Sequence, residues 1–518
     1  MTMRIALGSM ILLAATASSV LSCSRELPPF GQLHLTVSTD GPVPSVVSRL
    51  RIDVYRSDGR WIDSHDQPLR SRSDWPTSFT VYASDTRMER VRIRLRAYAS
   101  DYLRDYRGER YQPPPPDDAA LDFVPDPPVG DEQPRLFLNG VDVTPRSEPA
   151  PGVTIDRLMW VALDEGSIGS ASIVLRIACA GTMADLAGDR TCIDDRNVLH
   201  PTPVAANDDP SPAPWALQLE EDLNALPEPR SASMTTDGTP LFDEEVMVPG
   251  APFVLGSNDE SVRFSSGGKP LDTVPARVFV APPLLVDRYE MTVARYREAL
   301  AHGFRTRFAP AVNDSPGIEQ SSDGVRACTF STNPFEGAAS RETMPLSCIP
   351  FPTAVELCEF LGGDLPTEAE WEYLATSAGK DAKTAYPWGN EIPSCDEAVY
   401  GRIGTRVPAG GKACAGPDHL YGPLPVDAGS KDSTPAGIHG MAANVGEFAR
   451  DGFHDYRAAC WALAPIYDPS CPEDANALAI MRGSAFLTSY VEASVLRRAL
   501  PTTARNGMDG GLRCVRRR

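Results

Sequence analysis

Eleven cysteines are spread along these 518 residues, and how they pair limits the fold more than any other feature of the chain. Pairing depends on compartment, because thiols oxidise outside the cytoplasm and stay reduced within it. The N-terminus supplies the address. Arg4 precedes the apolar run "IALGSMILLAATASSVLS", which ends in small residues, and this is the build of a secretory signal. As a membrane anchor the run is only at the lower limit of length, and its glycine and serines weaken it further. No other segment reads as transmembrane. An exported chain is expected to oxidise its thiols. Setting aside Cys23, at the end of the signal, leaves ten cysteines, an even number consistent with five disulfides and no free thiol. Cys179 and Cys192 flank a short loop, so a local disulfide is the simple reading for them.

The stretch Val20–Cys23, "VLSC", resembles the bacterial lipoprotein processing box, in which the cysteine is lipidated and becomes the mature N-terminus. The resemblance makes residues 1–23 a lipoprotein signal peptide and Cys23 the lipidation site, with the membrane as a partner through the lipid. Ser24, rather than aspartate, follows the cysteine, which is compatible with the outer membrane of a Gram-negative envelope. A formal charge of −20 argues against nucleic acid, whose phosphates need a concentrated basic surface. Surplus acid favours cations such as Ca²⁺, although most of it is ordinarily solvated surface.

The length calls for more than one core. Residues 24–192 carry stretches in the strand period: "LHLTVS" (Leu33–Ser38), "LRIDVY" (Leu50–Tyr55), "FTVYAS" (Phe79–Ser84), "VRIRLRAY" (Val91–Tyr98) and "ASIVLRIAC" (Ala171–Cys179). Short strands between turn-rich loops predict an all-β, immunoglobulin-like sandwich. The proline-rich "QPPPPDDAALDFVPDPPVGDEQP" cannot continue a strand and is expected as an inserted loop. No catalytic constellation occurs there. Residues 193–245 turn polar and proline-rich, the composition of a linker.

From residue 246 the pattern changes to short helices among irregular strands, an α+β domain. Thr292 is a plausible N-cap for "VARYREALAHG", with Val293, Tyr296 and Leu300 on one face. Thr353 with Glu356, and Thr367 with Glu370, have the spacing of capping boxes. Glu368, Glu370 and Glu372 could be read as paired acids for proton transfer. Alternating glutamates in a first helical turn are better explained by the box and the helix dipole. His454 stands beside Asp455 without an activated serine or cysteine to serve. The seven histidines form no HxxxH or HExxH pair, and no Walker or dinucleotide motif occurs.

The blocks "GGDLPTEAEWEYLA", "YPWGN", "GIHGMAANVGEF", "MRGSAF" and "GLRCVRR" follow one another in the order of the formylglycine-generating enzyme, or sulfatase-modifying factor, family. The resemblance covers residues 246–518 and implies that family's C-type-lectin-like, loop-rich α+β fold. It also implies a copper-dependent oxidase that converts a sulfatase cysteine with O₂, using two cysteines that hold Cu(I), since soft thiolates select that ion. Alignment on Gly483 and Ser484 puts Leu487 and Glu492 at those two positions, and neither can supply a thiolate. Cys460 with Cys471, Cys395 with Cys414, and Cys328 with Cys348 read as loop staples instead, although connectivity stays open on sequence alone. The resemblance pairs Cys514, in the final block, with Cys358, on the helix before "LPTEAEWEY".

The family also binds structural Ca²⁺, a hard cation suited to oxygen donors. The resemblance matches its ligand glutamate to Glu447 and its carbonyl donors to Ala443 and Val445. The oxygen side chain expected at Gly440 is missing, Gly446 replaces a tryptophan, and a second site near "CDEAVYG" has Val399 for its asparagine. One weakened Ca²⁺ site is therefore weighed against an ordinary Glu447 carboxylate bonded to loop backbone. Copper is not expected. The resulting reading is an envelope-anchored lipoprotein whose family domain is a binding or scaffolding module for an envelope protein. The alternatives are an active family oxidase and a glycan-binding surface protein.

Overall fold

The computed structural model describes residues 30–83, 88–106, 134–194, 199–257, 277–321, 324–402, 414, 421–454, 456, 458–472, 478–488, 494–496, 498–499 and 510–518. Cys23, Glu492, Asp455 and nearly all of the proline-rich insertion lie outside them. The chain divides into two units, one up to Pro214 and one from Trp215 to Arg518. No helix among the described residues is long and apolar enough to cross a membrane.

The first unit is built on seven strands: β1 (Gln32–Thr39), β2 (Arg49–Arg56), β3 (Trp61–Pro68), β4 (Thr77–Tyr82), β5 (Glu89–Tyr98), β6 (Ile155–Leu163) and β7 (Ile168–Leu175). They form two main sheets, ordered β7-β1-β4 and β6-β5-β2-β3. Within the first, β1 runs antiparallel to β4, with Leu35 opposite Phe79, and parallel to β7, with Leu35 opposite Ala171. The alternating stretches all lie in or run into these strands. Alternation does not mark β3 and β6. In β3, "WIDSHDQP" is polar and ends in proline, as an edge strand tolerates. In β6, burial of nearly every residue makes the apolar run continuous.

Charged residues fill the second face of the larger sheet. Arg51, Asp53, Arg96 and Asp156 are all buried. Asp53 accepts from Arg51 Nε at 3.2 Å and Ser64 Oγ at 2.7 Å, and it pairs with Arg96. Asp156 takes a two-pronged contact from Arg94, at 2.6 and 3.0 Å. Burial works against an ionised Asp53, but Arg96 and Arg51 outweigh it and hold the carboxyl below the usual range.

The stretch expected as a linker is instead docked. Leu199–Pro201 pairs with Arg190–Cys192, and Asp208 accepts from Val174 N and Arg157. Helix α1 (Pro214–Ala225) and the turns after it belong to the second unit, where Arg230 N donates to Glu245 at 2.9 Å. Polar, proline-rich composition hides this because the contacts are made by backbone and carboxylates, not by apolar side chains.

In the second unit, β8 (Glu245–Val248) and β9 (Ala251–Leu255) are followed by β10 (Arg277–Ala281) and β11 (Leu284–Asp287). Helices α2 (Val293–Ala301), α3 (Phe351–Phe360) and α4 (Glu368–Thr376) come next. Then come β12 (Gly446–Gly452), the short α5 (Ala459–Leu463), β13 (Ala479–Arg482), β14 (Arg498–Ala499), β15 (Gly510–Gly511) and β16 (Val515–Arg516). The sheets are β8-β11-β16, β9-β10 and β14-β13-β12-β15. Thr292 caps α2, accepting from Arg295 N at 3.2 Å, and Thr367 and Glu370 close a reciprocal box on α4. Thr353 and Glu356 make no box. Pro352 lets α3 begin at Phe351, so Thr353 falls inside the helix and hydrogen-bonds Thr306 and Phe308 O.

Five disulfides join Cys179–Cys192, Cys328–Cys348, Cys358–Cys514, Cys395–Cys414 and Cys460–Cys471. Cys358–Cys514 ties α3 to the residue before β16 across 156 positions. A chain so cross-linked belongs to an oxidising, extracytoplasmic compartment.

Candidate functional site

The position at which the family's thiolates are expected lies just after β13, and three backbone contacts build it. Ser484 N donates to Ala442 O at 3.1 Å, Phe486 N to Asn444 O at 2.8 Å, and Arg402 N to Phe486 O at 2.7 Å. The segment is thereby laid between the loop before β12 and residues 399–402. Gly483 starts it at φ 71°, and a side chain there would meet Met441 O at 2.8 Å. Leu487 is partly buried against Ala327, Val399 and Phe486, with Tyr421 and Leu424 beside them. The cluster holds no thiol or imidazole. Ser484 and Thr488 bond each other through their hydroxyls, which leaves neither activated by a base.

Behind this segment lies the Glu447 site. Glu447 Oε1 accepts from Arg513 Nε at 2.8 Å and NH2 at 2.6 Å, while Oε2 accepts from Arg513 Nε at 2.9 Å and Trp371 Nε1 at 2.6 Å. A carboxylate offers about four lone-pair sites, and three N–H groups, with that of Arg513 Nε shared between the two oxygens, occupy both of its oxygens. A guanidinium therefore stands where a cation would have to approach, and Glu447 does not fit as a calcium ligand. Among the described residues its side chain does not bond loop backbone, the alternative expected for it. The backbone N–H groups nearby go to other acids. Val445 N donates to Glu290 Oε1 at 3.1 Å, and Ala442 N and Ala443 N donate to Asp432. Gly440, at φ 74°, adopts a conformation that other side chains rarely take, and the Glu290 carboxyl carbon lies 3.2 Å from where its Cβ would be. Burial, then Glu447, pushes Glu290 well above the usual carboxylate range. Burial likewise raises Asp432 to about 7.

The three glutamates of α4 are fully buried, and each is neutralised by a basic residue from elsewhere in the unit. Arg482 bridges Glu368 at 2.9 Å and Glu372 at 2.6 Å. Arg498 adds a second guanidinium to Glu368, Lys383 a second cation to Glu372, and Arg517 binds Glu370. Tyr456 donates its hydroxyl to Glu368 at 3.1 Å. Burial opposes ionisation of Glu372, but Lys383 and Arg482 prevail and hold it down to about 2. All three acids are enclosed in a lattice of basic side chains, so proton transfer to a substrate is not their work. Sequence reasoning explained Glu370 by its box and missed Arg482, Arg498, Arg513 and Arg517. The "MRG", "LRRAL" and "LRCVRR" letters contained them, but nothing local shows an arginine to be buried.

The sulfatase-modifying factor enzyme 1-like domain matches residues 230–518. The chain is 26% identical over 294 residues to the formylglycine-generating enzyme of Thermomonospora curvata, covering 52% of this chain and 92% of that one. It is 24% identical over 280 residues to the inactive C-alpha-formylglycine-generating enzyme 2 of Mus musculus, covering 50% of this chain and 79% of the mouse protein. Among solved structures, PvdO from Pseudomonas aeruginosa superposes with a TM-score of 0.39 at 20% identity, over 57% of this chain and 100% of its own. Through its second unit, a C-type-lectin-like α+β domain, the chain belongs to the formylglycine-generating enzyme, or sulfatase-modifying factor, family.

Proposed function

We propose that the second unit is a family member without the copper oxidase chemistry, acting outside the cytoplasm as a binding or scaffolding module. The observation that carries this reading is Leu487, an aliphatic side chain packed among apolar neighbours where a Cu(I) thiolate would be required. All ten cysteines among the described residues are held in disulfides, which leaves no thiolate there to substitute. The mouse relative is itself named as inactive, which supports the reading that the fold outlives the reaction. The finer features belong to the same proposal. The first unit is an immunoglobulin-like sandwich, Cys23 carries a lipid that holds the protein to the outer membrane, and the partner is an envelope protein.

The test is turnover. Oxidised, purified protein is given Cu(I), O₂ and a sulfatase-type cysteine peptide, and the peptide is followed by mass spectrometry. Unchanged peptide is the expected result. Copper-dependent loss of the peptide cysteine would replace the module with an active oxidase.

A further inference from the structure

The structure assigns a redox-gated site for a thiophilic cation to His454, Cys460 and Cys471, apart from Leu487 and from the Glu447 site. The ligand atoms of these three side chains all lie within 4.8 Å of one another, and among the described residues they are the one such group of His, Cys and acidic ligands. In the oxidised chain the two sulfurs are bonded to each other. Parting them leaves two thiolates and an imidazole, the donor set that suits Zn²⁺ or Cu(I), with a fourth position for water. In a tetrahedral site with Zn–S of about 2.3 Å and Zn–N of about 2.0 Å, the ligand atoms stand roughly 3.5–4 Å apart. The imidazole already stands within 4.8 Å of both sulfurs, and reduction lets the sulfurs part to that spacing.

The three positions are held by contacts that do not involve the disulfide. Trp461, next to Cys460, is fully buried beside Phe279 and Tyr456. The loop that follows is stitched to β10, where Val280 N donates to Ile466 O at 2.7 Å and Asp468 N to Val280 O at 2.9 Å. Cys471 N donates to Asp451, and Cys471 O accepts from Gly452 N at 3.1 Å. His454 O accepts from Arg498 NH2 at 2.7 Å. Reduction therefore frees the sulfurs without dispersing the ligands. A site assembled before the metal arrives loses less entropy on binding. His454 and Cys460 are half-buried, so reductant and ion can reach them, while Cys471 lies within.

An external dithiol passes two electrons and two protons to the Cys460–Cys471 bond and leaves as its own disulfide. The two thiols then lose their protons to solvent as two metal–sulfur bonds form.

Zinc alone is the probe. Full-length protein, reduced anaerobically with a dithiol and freed of it, is titrated with Zn²⁺ against a chromogenic chelator. A parallel arm uses the oxidised chain. One equivalent is expected in the reduced chain and none in the oxidised one. Cys460→Ser/Cys471→Ser should abolish uptake, and His454→Ala, which leaves the disulfide intact, should weaken it by about tenfold or more. Cys395→Ser/Cys414→Ser removes the other pair with a partly exposed sulfur and should leave uptake unchanged. Three results would overturn the site: no uptake by the reduced chain, undiminished uptake by either ligand variant, or loss of circular-dichroism structure with zinc present. The turnover assay uses oxidised protein, so its outcome is independent of this one.

Discussion

Asp451 shows how one side chain sets the pH response of its unit. Burial, together with Glu368 and Glu370, raises its carboxyl to about 7 from 3.8, and Asp432 is raised to the same value by burial. Such an acid binds its proton more tightly in the folded chain than in the unfolded one. Its contribution is complete below the unfolded value and is lost as pH rises through about 7. Glu372 has the opposite sign, because its folded value is about 2, so its contribution is lost as pH falls below 4.5. The second unit should therefore be most stable under mildly acidic conditions and melt at a lower temperature at pH 8 than at pH 5.5. Asp451→Asn should flatten that decline, whatever it does to absolute stability. An unchanged slope in scanning calorimetry would assign the dependence elsewhere. At Glu447, filled by Arg513 and Trp371, added Ca²⁺ should leave the melting temperature where it was. A calcium-induced rise that disappears in Glu447→Ala would restore the ligand role.

Helix α4 depends least on its own sequence for support. All nine of its residues are buried, three of them glutamates, so its place is set by cations from Lys383, Arg482, Arg498 and Arg517. Arg482→Met would leave two anions short of a partner in a dry interior. That should cost about 3 kcal/mol in urea denaturation, at the lower end for a broken buried pair because Arg498 and Lys383 remain. What the letters revealed about such elements was uneven. The Thr367–Glu370 box was legible because it spans three positions. The absence of a thiol at Leu487 was legible because it is a matter of identity alone. The pairing of Arg482 with Glu368 was not, since 114 positions separate them and an arginine in a strand usually faces water. Likewise β5 alternates, yet both its faces are buried, because Asp53 and Asp156 neutralise the arginines that alternation assigns to solvent.

For the molecule as a whole, two units with separate cores should give two calorimetric transitions. Asp53→Ala, which takes a carboxylate from the buried Arg51 and Arg96, should lower only the transition of the first. Cys358→Ser/Cys514→Ser should lower only that of the second, by roughly 2–5 kcal/mol for a cross-link of this span. Movement of both transitions together in either variant would contradict this division.

The residues from Arg513 onward close the second unit. Arg513 satisfies Glu447, Cys514 reaches back to Cys358, β16 completes a sheet with β11, and Arg516 and Arg517 neutralise Glu245 and Glu370. These residues leave the ribosome after every partner they meet. Until they emerge, the unit holds acids it cannot bury and a sheet it cannot finish.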